Sequence, residues 1–286
     1  MNSDYQLHIY ESKYIDIKIF DYPFRHVVID NLLNDEIYGS MINKFPEFIA
    51  RTKPYKDQPE ATSNYEGYIS GLNHNDLVGG FEFFSSKDLQ AFVEKEFDIK
   101  TNKFISPSAH FHKAPSKNGF THRDYNVCSF YDNNPNSDNF ITTGGAQYAD
   151  DTKYNTKSTK VIRSIALLYY LNNNDSISCQ GGGTGIYDGY NGKLIKTIEP
   201  KNNRLFIFEM KHNSYHSFIG ANFDRSAVVS WFHSSPAYMI NRHWKYFRKY
   251  PNLIERWTQK NLDEYWPIEN DTEYARYFNK PLKDMI

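Results

Sequence analysis

Hydrophobic positions along the chain follow two periods, and the change between them falls near residue 103. Before it, His26-Val27-Val28-Ile29-Asp30 is a short β-branched run that predicts a strand. Ile37, Met41, Ile42 and Phe45 then recur at helical spacing, and Pro46 is expected to stop that helix. Ser86 stands as an N-cap before Leu89, Phe92, Val93 and Phe97, the inward face of a second helix. Residues 51–76 are polar, with Pro54, Pro59 and several Asn, and predict a long loop.

Beyond 103, short strand-like runs succeed one another at 105–112, 122–130, 161–171, 185–187, 194–198, 204–208, 215–219 and 225–232. Gly, Asn and Pro clusters separate them, which indicates a sandwich or barrel rather than a parallel sheet. Helical patterns return at 239–249 and 253–262. The order predicts one mainly β domain with flanking helices: N-terminal support over 1–102, a β core over 103–236 and C-terminal helices over 237–286. Residues 131–160 are polar, Asn-rich and without period, and are expected to form a flap near the site.

Composition narrows the function. The chain of 286 residues is 17% aromatic, so its core depends on Tyr and Phe. Lys and Arg number 33 against 34 Asp and Glu, a balance that argues against a general nucleic-acid binder. No apolar run is long enough to cross a bilayer, and Met1–Gln6 lacks the basic start of a secretory signal. A cytoplasmic location is expected. Cys128 and Cys179 form no CxxC pair and read as buried thiols in a reducing compartment.

The chemistry centres on His122-Arg123-Asp124. On a strand, residues two apart share a face, so His122 and Asp124 would project together. An imidazole and a carboxylate are two of the three ligands of a non-haem Fe(II) facial triad. With ten histidines in the chain, a surface hydrogen-bonded pair is the ordinary alternative. The tripeptide is not a kinase catalytic loop, because Ser129 stands where the Asn should be. Gly181-Gly182-Gly183 fits no phosphate-loop pattern and reads as a turn.

His212, His216 and His233 are the candidates for a third ligand. His216 is preferred because Arg225 stands nine residues beyond it and Trp231 six beyond that. Arg225 opens an apolar strand, where its forked guanidinium suits a carboxylate. A salt bridge to Asp224 or Glu209 is the bland alternative. Residues 242–250 interleave basic and aromatic side chains, as a docked amphipathic helix or a nucleic-acid patch would.

His122-x-Asp124, His216 and Arg225, with the run Arg163 to Asn172 and Gly182-Gly183-Thr184 between them, resemble the signature of the Fe(II)/2-oxoglutarate-dependent dioxygenases. The spacing is similar to that of the prolyl-hydroxylase branch. The resemblance implies a double-stranded β-helix, a cupin-like jelly-roll core buttressed by the N- and C-terminal helices. It makes His122, Asp124 and His216 the iron ligands. Arg225 and Tyr170 would then hold the C5 carboxylate of 2-oxoglutarate.

Fe(II), 2-oxoglutarate and O2 are the implied cofactors. The implied reaction is hydroxylation of an unactivated C–H bond of a small molecule, amino acid or prolyl peptide, with succinate and CO2 as co-products. By family spacing Arg163 lies near the mouth of the site, with His112 and Trp231 as further substrate-side candidates. Two departures stand out. Ala227 replaces a Ser common two residues after the Arg, and His110 and His112 occupy a strand that often carries a Tyr. A non-catalytic metal-binding jelly-roll and an oxygenase acting on nucleic acid are the competing readings.

Overall fold

The structure, a computed structural model, describes residues 14–51, 53–54, 67–131, 140–142, 158–173 and 181–249. The strands are β1 (Asp16–Phe20), β2 (His26–Asp30), β3 (Lys53–Pro54), β4 (Gly67–Gly71), β5 (Phe104–Ile105), β6 (Ser108–His112) and β7 (Val127–Tyr131). They continue as β8 (Ile141–Thr142), β9 (Ser158–Tyr170), β10 (Thr184–Tyr187), β11 (Leu194–Ile198), β12 (Arg204–Glu209), β13 (His216–Phe218) and β14 (Arg225–Ser234). The helices are α1 (Asp35–Ala50), α2 (Lys87–Phe97) and α3 (Pro236–Lys249).

One sheet runs β1-β2-β12-β9-β14-β6-β4-β3, with β5 beside β14, β8 beside β5 and β7 beside the start of β9. A smaller sheet runs β11-β10-β13. Neighbours are antiparallel except β5 with β8. Cross-strand register assigns the faces of the large sheet. Ala227 opposes Tyr170, Val229 opposes Leu168 and Trp231 opposes Ala166. Arg225 and Ala227 oppose His112 and His110 in turn. These residues therefore share one face, and Phe206 and Phe208 of β12 join it opposite Leu168 and Ala166. Tyr169 lies on the other face, where its ring meets Phe84 edge-on.

The period of two breaks once on β9. Phe232 opposes Ile165, but His233 opposes Arg163, so Ser164 is an extra residue. Its hydroxyl donates to the Phe232 carbonyl at 3.1 Å, and its own carbonyl accepts from Met210 N at 2.9 Å. Such a bulge turns the strand by one face. Arg163 thereby joins Tyr170 and Trp231, although seven residues separate it from Tyr170.

Several expectations need correction. Helix α1 continues through Pro46 for another turn, because Phe48 is buried against Phe81, ring centroids 4.8 Å apart. That burial offsets the hydrogen bond that proline cannot donate. The expected loop 51–76 contains strand β4, which pairs with β6 from Gly67↔His112 to Gly71↔Ser108. Strand β4 lies between β6 and the two-residue edge strand β3, and its five residues, glycine at each end, leave no apolar alternation to read. The run 105–112 is two strands, split at Ser106-Pro107.

Helix α2 begins at the Ser86 cap as expected, its hydroxyl accepting from Leu89 N. The helix expected at 253–262, Cys179 and most of the flap 131–160 lie outside the described residues. Among the described residues no helix is long and apolar enough to cross a membrane.

At the rim of the core, Arg204 grips Asp30 through Nε at 2.5 Å and Nη2 at 3.0 Å. Burial pushes the Asp30 carboxyl up, but Arg204 and Lys201 outweigh it and hold the group below its ordinary value. Asp30→Asn should cost about 3 kcal/mol at pH 7, as breaking a buried pair does. The wild-type advantage is present above the unfolded carboxyl value near 4 and fades as pH falls through the lower folded value. Urea unfolding of both chains at pH 7 and pH 3 checks this.

Candidate active site

His216 opens β13 and pairs with Ile186 of β10, which fixes one wall of the site. His122 belongs to no regular strand; it forms an isolated antiparallel bridge with His216. Each backbone N–H donates to the other's carbonyl, at 3.0 and 2.9 Å, and the imidazole centroids lie 4.4 Å apart. Asp124 comes next but one, in a left-handed conformation, φ 57°. Strand alternation is thus not what brings His122 and Asp124 together, and β7 begins only at Val127. The bridge and the turn do it instead.

The ligand atoms of His122, Asp124 and His216 all lie within 4.8 Å of one another, a group that could hold a metal ion. Asp124 Oδ1 is 3.6 Å from His122 Nε2, and Oδ2 is 3.7 Å from His216 Nε2. Both histidines turn Nδ1 to a backbone carbonyl at 2.9 Å, His122 to Phe120 and His216 to Ser214. An Nδ1–H donated there leaves the Nε2 lone pair facing inward, the tautomer a metal needs. Phe208 packs edge-on against His216 at 4.7 Å.

Burial, and then the charge of His216, lower the His122 pKa. Burial pushes Asp124 up, but His122, Arg163 and His216 prevail and hold it far below the usual carboxylate range. His122 and Asp124 keep 24% and 20% of their side chains exposed, so the cluster is open on one side. His212 and His233 lie outside it; His233 Nδ1 meets the Phe104 carbonyl at 2.9 Å.

Arg225 is 3% exposed. Its Nε donates to the Gly182 carbonyl at 3.2 Å, and its guanidinium lies 5.1 Å from the Tyr170 ring centroid and 5.5 Å from that of Phe218. The Gly181-Gly182 turn approaches closely because both glycines have positive φ, and a Cβ on Gly181 would collide with the Gly220 oxygen. Tyr170 OH and Thr184 Oγ1 share a hydrogen bond of 2.7 Å. His112 stacks on Phe218 at 4.0 Å, beside Arg225 in the ladder. Arg163 is 4% exposed and lies against Asp124 and Trp231.

Residues 109–233 match the family described as the 2OG-Fe(II) oxygenase superfamily. These residues form a 2OG-Fe(II) oxygenase domain. The oxygenase is similar in fold to a prolyl-4-hydroxylase from Pseudomonas putida, with 12% identity and TM-score 0.50 over 73% of this chain and 91% of that one. Two further structures are a prolyl hydroxylase from Trichoplax adhaerens bound to a hypoxia-inducible-factor peptide fragment and a viral collagen prolyl hydroxylase from Paramecium bursaria Chlorella virus-1. Both show 15% identity and TM-score 0.44 over 73% of this chain, covering 83% and 95% of their own chains. Comparison with curated proteins finds no match.

The oxygenase is a dioxygenase whose cofactors are Fe(II), 2-oxoglutarate and O2. The residues fit them: two imidazoles with inward Nε2 and one carboxylate are an iron donor set, and a buried guanidinium 5.5 Å from the ring centroid of Phe218, two residues beyond His216, suits a dicarboxylate. Phe218 and Thr184 are site residues that sequence reasoning missed. Period two from His216 points to Phe218, whereas Thr184 carries no signal of its own beyond its place after the glycine turn.

Burial, with Arg225 adding to it, lowers the His110 pKa to about 3. Burial likewise brings His233 to about 3 against the opposing pull of the Phe104 carbonyl. Unfolded, each takes a proton near pH 6.5, so its full contribution stands above that pH. Stability should then fall by about 1.4 kcal/mol per pH unit per histidine between 6.5 and 3. Urea midpoints from pH 7 to pH 5 should drop less steeply in His233→Gln.

Proposed function

We propose that this oxygenase hydroxylates an unactivated C–H bond of a small molecule, an amino acid or a prolyl peptide. The observation that carries the reading is the His122–Asp124–His216 cluster together with the buried Arg225. In this reading His122, Asp124 and His216 hold the iron, and their backbone-anchored Nδ1 atoms keep the imidazoles turned to it. Arg225 takes the C5 carboxylate of 2-oxoglutarate, oriented by the Gly182 carbonyl and the Tyr170 and Phe218 rings.

Tyr170 adds a hydroxyl donor, with Thr184 as its second partner. Thr184 so stands in for the Ser that Ala227 replaces. His112, stacked on Phe218, borders the co-substrate end. Bound Fe(II) with 2-oxoglutarate and O2 supplies the oxidising power, and succinate and CO2 leave as co-products.

The Pseudomonas putida neighbour is a prolyl-4-hydroxylase, which makes prolyl peptides the first substrates to test. Arg242 is committed to Glu209 at 2.8 Å and to the carbonyls of Phe97 and Asp98, which removes a cation from the nucleic-acid reading. The proposal includes a single domain with core 103–236 and a cytoplasmic location.

Anaerobic addition of Fe(II) and then 2-oxoglutarate should produce a weak visible charge-transfer band that requires both and is lost in Asp124→Ala. A charge-assisted hydrogen bond contributes about 1.5–3 kcal/mol. Arg225→Ala should therefore need about 10- to 100-fold more 2-oxoglutarate. Iron bound with no band in the wild type would instead support the non-catalytic metal-binding jelly-roll.

A further inference from the structure

We propose that Arg163 is a positioning residue that fixes the Asp124 carboxylate for the metal. The inference depends on reading Asp124 as an iron ligand.

Asp124 sits at φ 57°, in the left-handed region that short polar side chains tolerate, and its surroundings hold it there. Two buried anchors do so, one on each side. On the site face, Arg163 Nη1 lies 3.2 Å from Asp124 Oδ1. The arginine is itself fixed: its guanidinium stacks 3.7 Å over the Trp231 ring, and the Ser164 bulge aims it. The backbone closes the loop, with Asn126 N donating to the Asp124 carbonyl at 2.9 Å and Arg163 N to the Asn126 carbonyl at 3.0 Å.

On the opposite side, Tyr125 is fully buried, and its hydroxyl meets His243 Nδ1 at 2.9 Å. His243 Nε2 meets Glu209 Oε1 at 3.2 Å. Helix α3 is in this way tied to the residue beside the ligand.

With Oδ1 held by Arg163, Oδ2 is the oxygen left for a metal. A nearby guanidinium has two opposed effects. Its charge competes with a cation, so removing it would strengthen metal binding. Its fork orders a carboxylate that is one-fifth open to solvent, so removing it would weaken metal binding. The hydrogen-bonded turn, the aromatic plate and the burial all serve order, and order decides the sign. Lysine would keep the charge but neither the planar fork nor the stack.

The test is titration of the metal-free protein with Co(II), a redox-stable probe, read by its visible absorption without substrate or 2-oxoglutarate. Arg163→Gln should weaken Co(II) binding about 10- to 100-fold and change the band shape, as loss of a partner to a metal ligand does. Arg163→Lys, which keeps the buried charge and guards against a folding failure, should weaken it as well. Unchanged or tighter binding in Arg163→Gln, or full rescue by Arg163→Lys, would overturn the proposal while leaving the ligand reading intact. A wild-type chain that binds no Co(II) would overturn the ligand reading and this proposal with it.

Discussion

Strand β9 is thirteen residues long and pairs with β7, β12 and β14, so its side chains decide what faces the site. On a regular strand, positions 163 and 170 point to opposite faces. The extra residue at Ser164 cancels that difference, and the bulge persists because its hydroxyl and carbonyl both find partners. Without it Arg163 would face away from the cluster, where Asp124 could not meet its guanidinium. With it, one strand carries Tyr170 toward Arg225 and Arg163 toward Asp124. The two charged ends of the site are thus set by a single register shift.

The site keeps two guanidinium groups away from water, and both are met by aromatic rings as well as by oxygen. Arg225 lies over Tyr170 and Phe218, and Arg163 over Trp231. Arginine tolerates this because its delocalised charge is weakly hydrated and its flat face stacks. Burial lowers the pKa of His110, His112 and His122, which disfavours further positive charge beside the two arginines. The two guanidinium groups place permanent positive charge at two points, one beside Asp124 and one beside Tyr170 and Phe218. That separation suits a dicarboxylate bound through one end.

Strands β10 to β14 were legible in the sequence almost to the residue, because alternation and turn residues delimit them. Leu194–Ile198 and the start at Arg225 match outright. What alternation could not reveal was anything decided by backbone pairing alone. Strand β4 is short and has glycine at each end, the bulge leaves no trace in hydropathy, and Pro46 sits in a helix that burial carries further. The site shows the same divide. His122, Asp124 and His216 were recognisable as residue types at a family spacing, yet the strand geometry expected to join them is absent. Arg163 was legible as an important cation, but its contact with Asp124 was not, because its direction depends on Ser164.

The conformation of Asp124 connects these levels. Among the described residues, every non-glycine residue with positive φ is Asn or Asp: Asn31, Asp98, Asp124, Asn172, Asn191 and Asn203. These short polar side chains tolerate the left-handed region where longer ones are strained. At position 124 the turn thus favours aspartate on backbone grounds before any metal is considered. A glutamate there would strain the turn and carry its carboxylate a methylene further, past the 3.2 Å contact with Arg163. Aspartate at position 124 is accordingly favoured twice, once by the φ angle of the turn that leaves the His122–His216 bridge, and once by the reach that Arg163 allows.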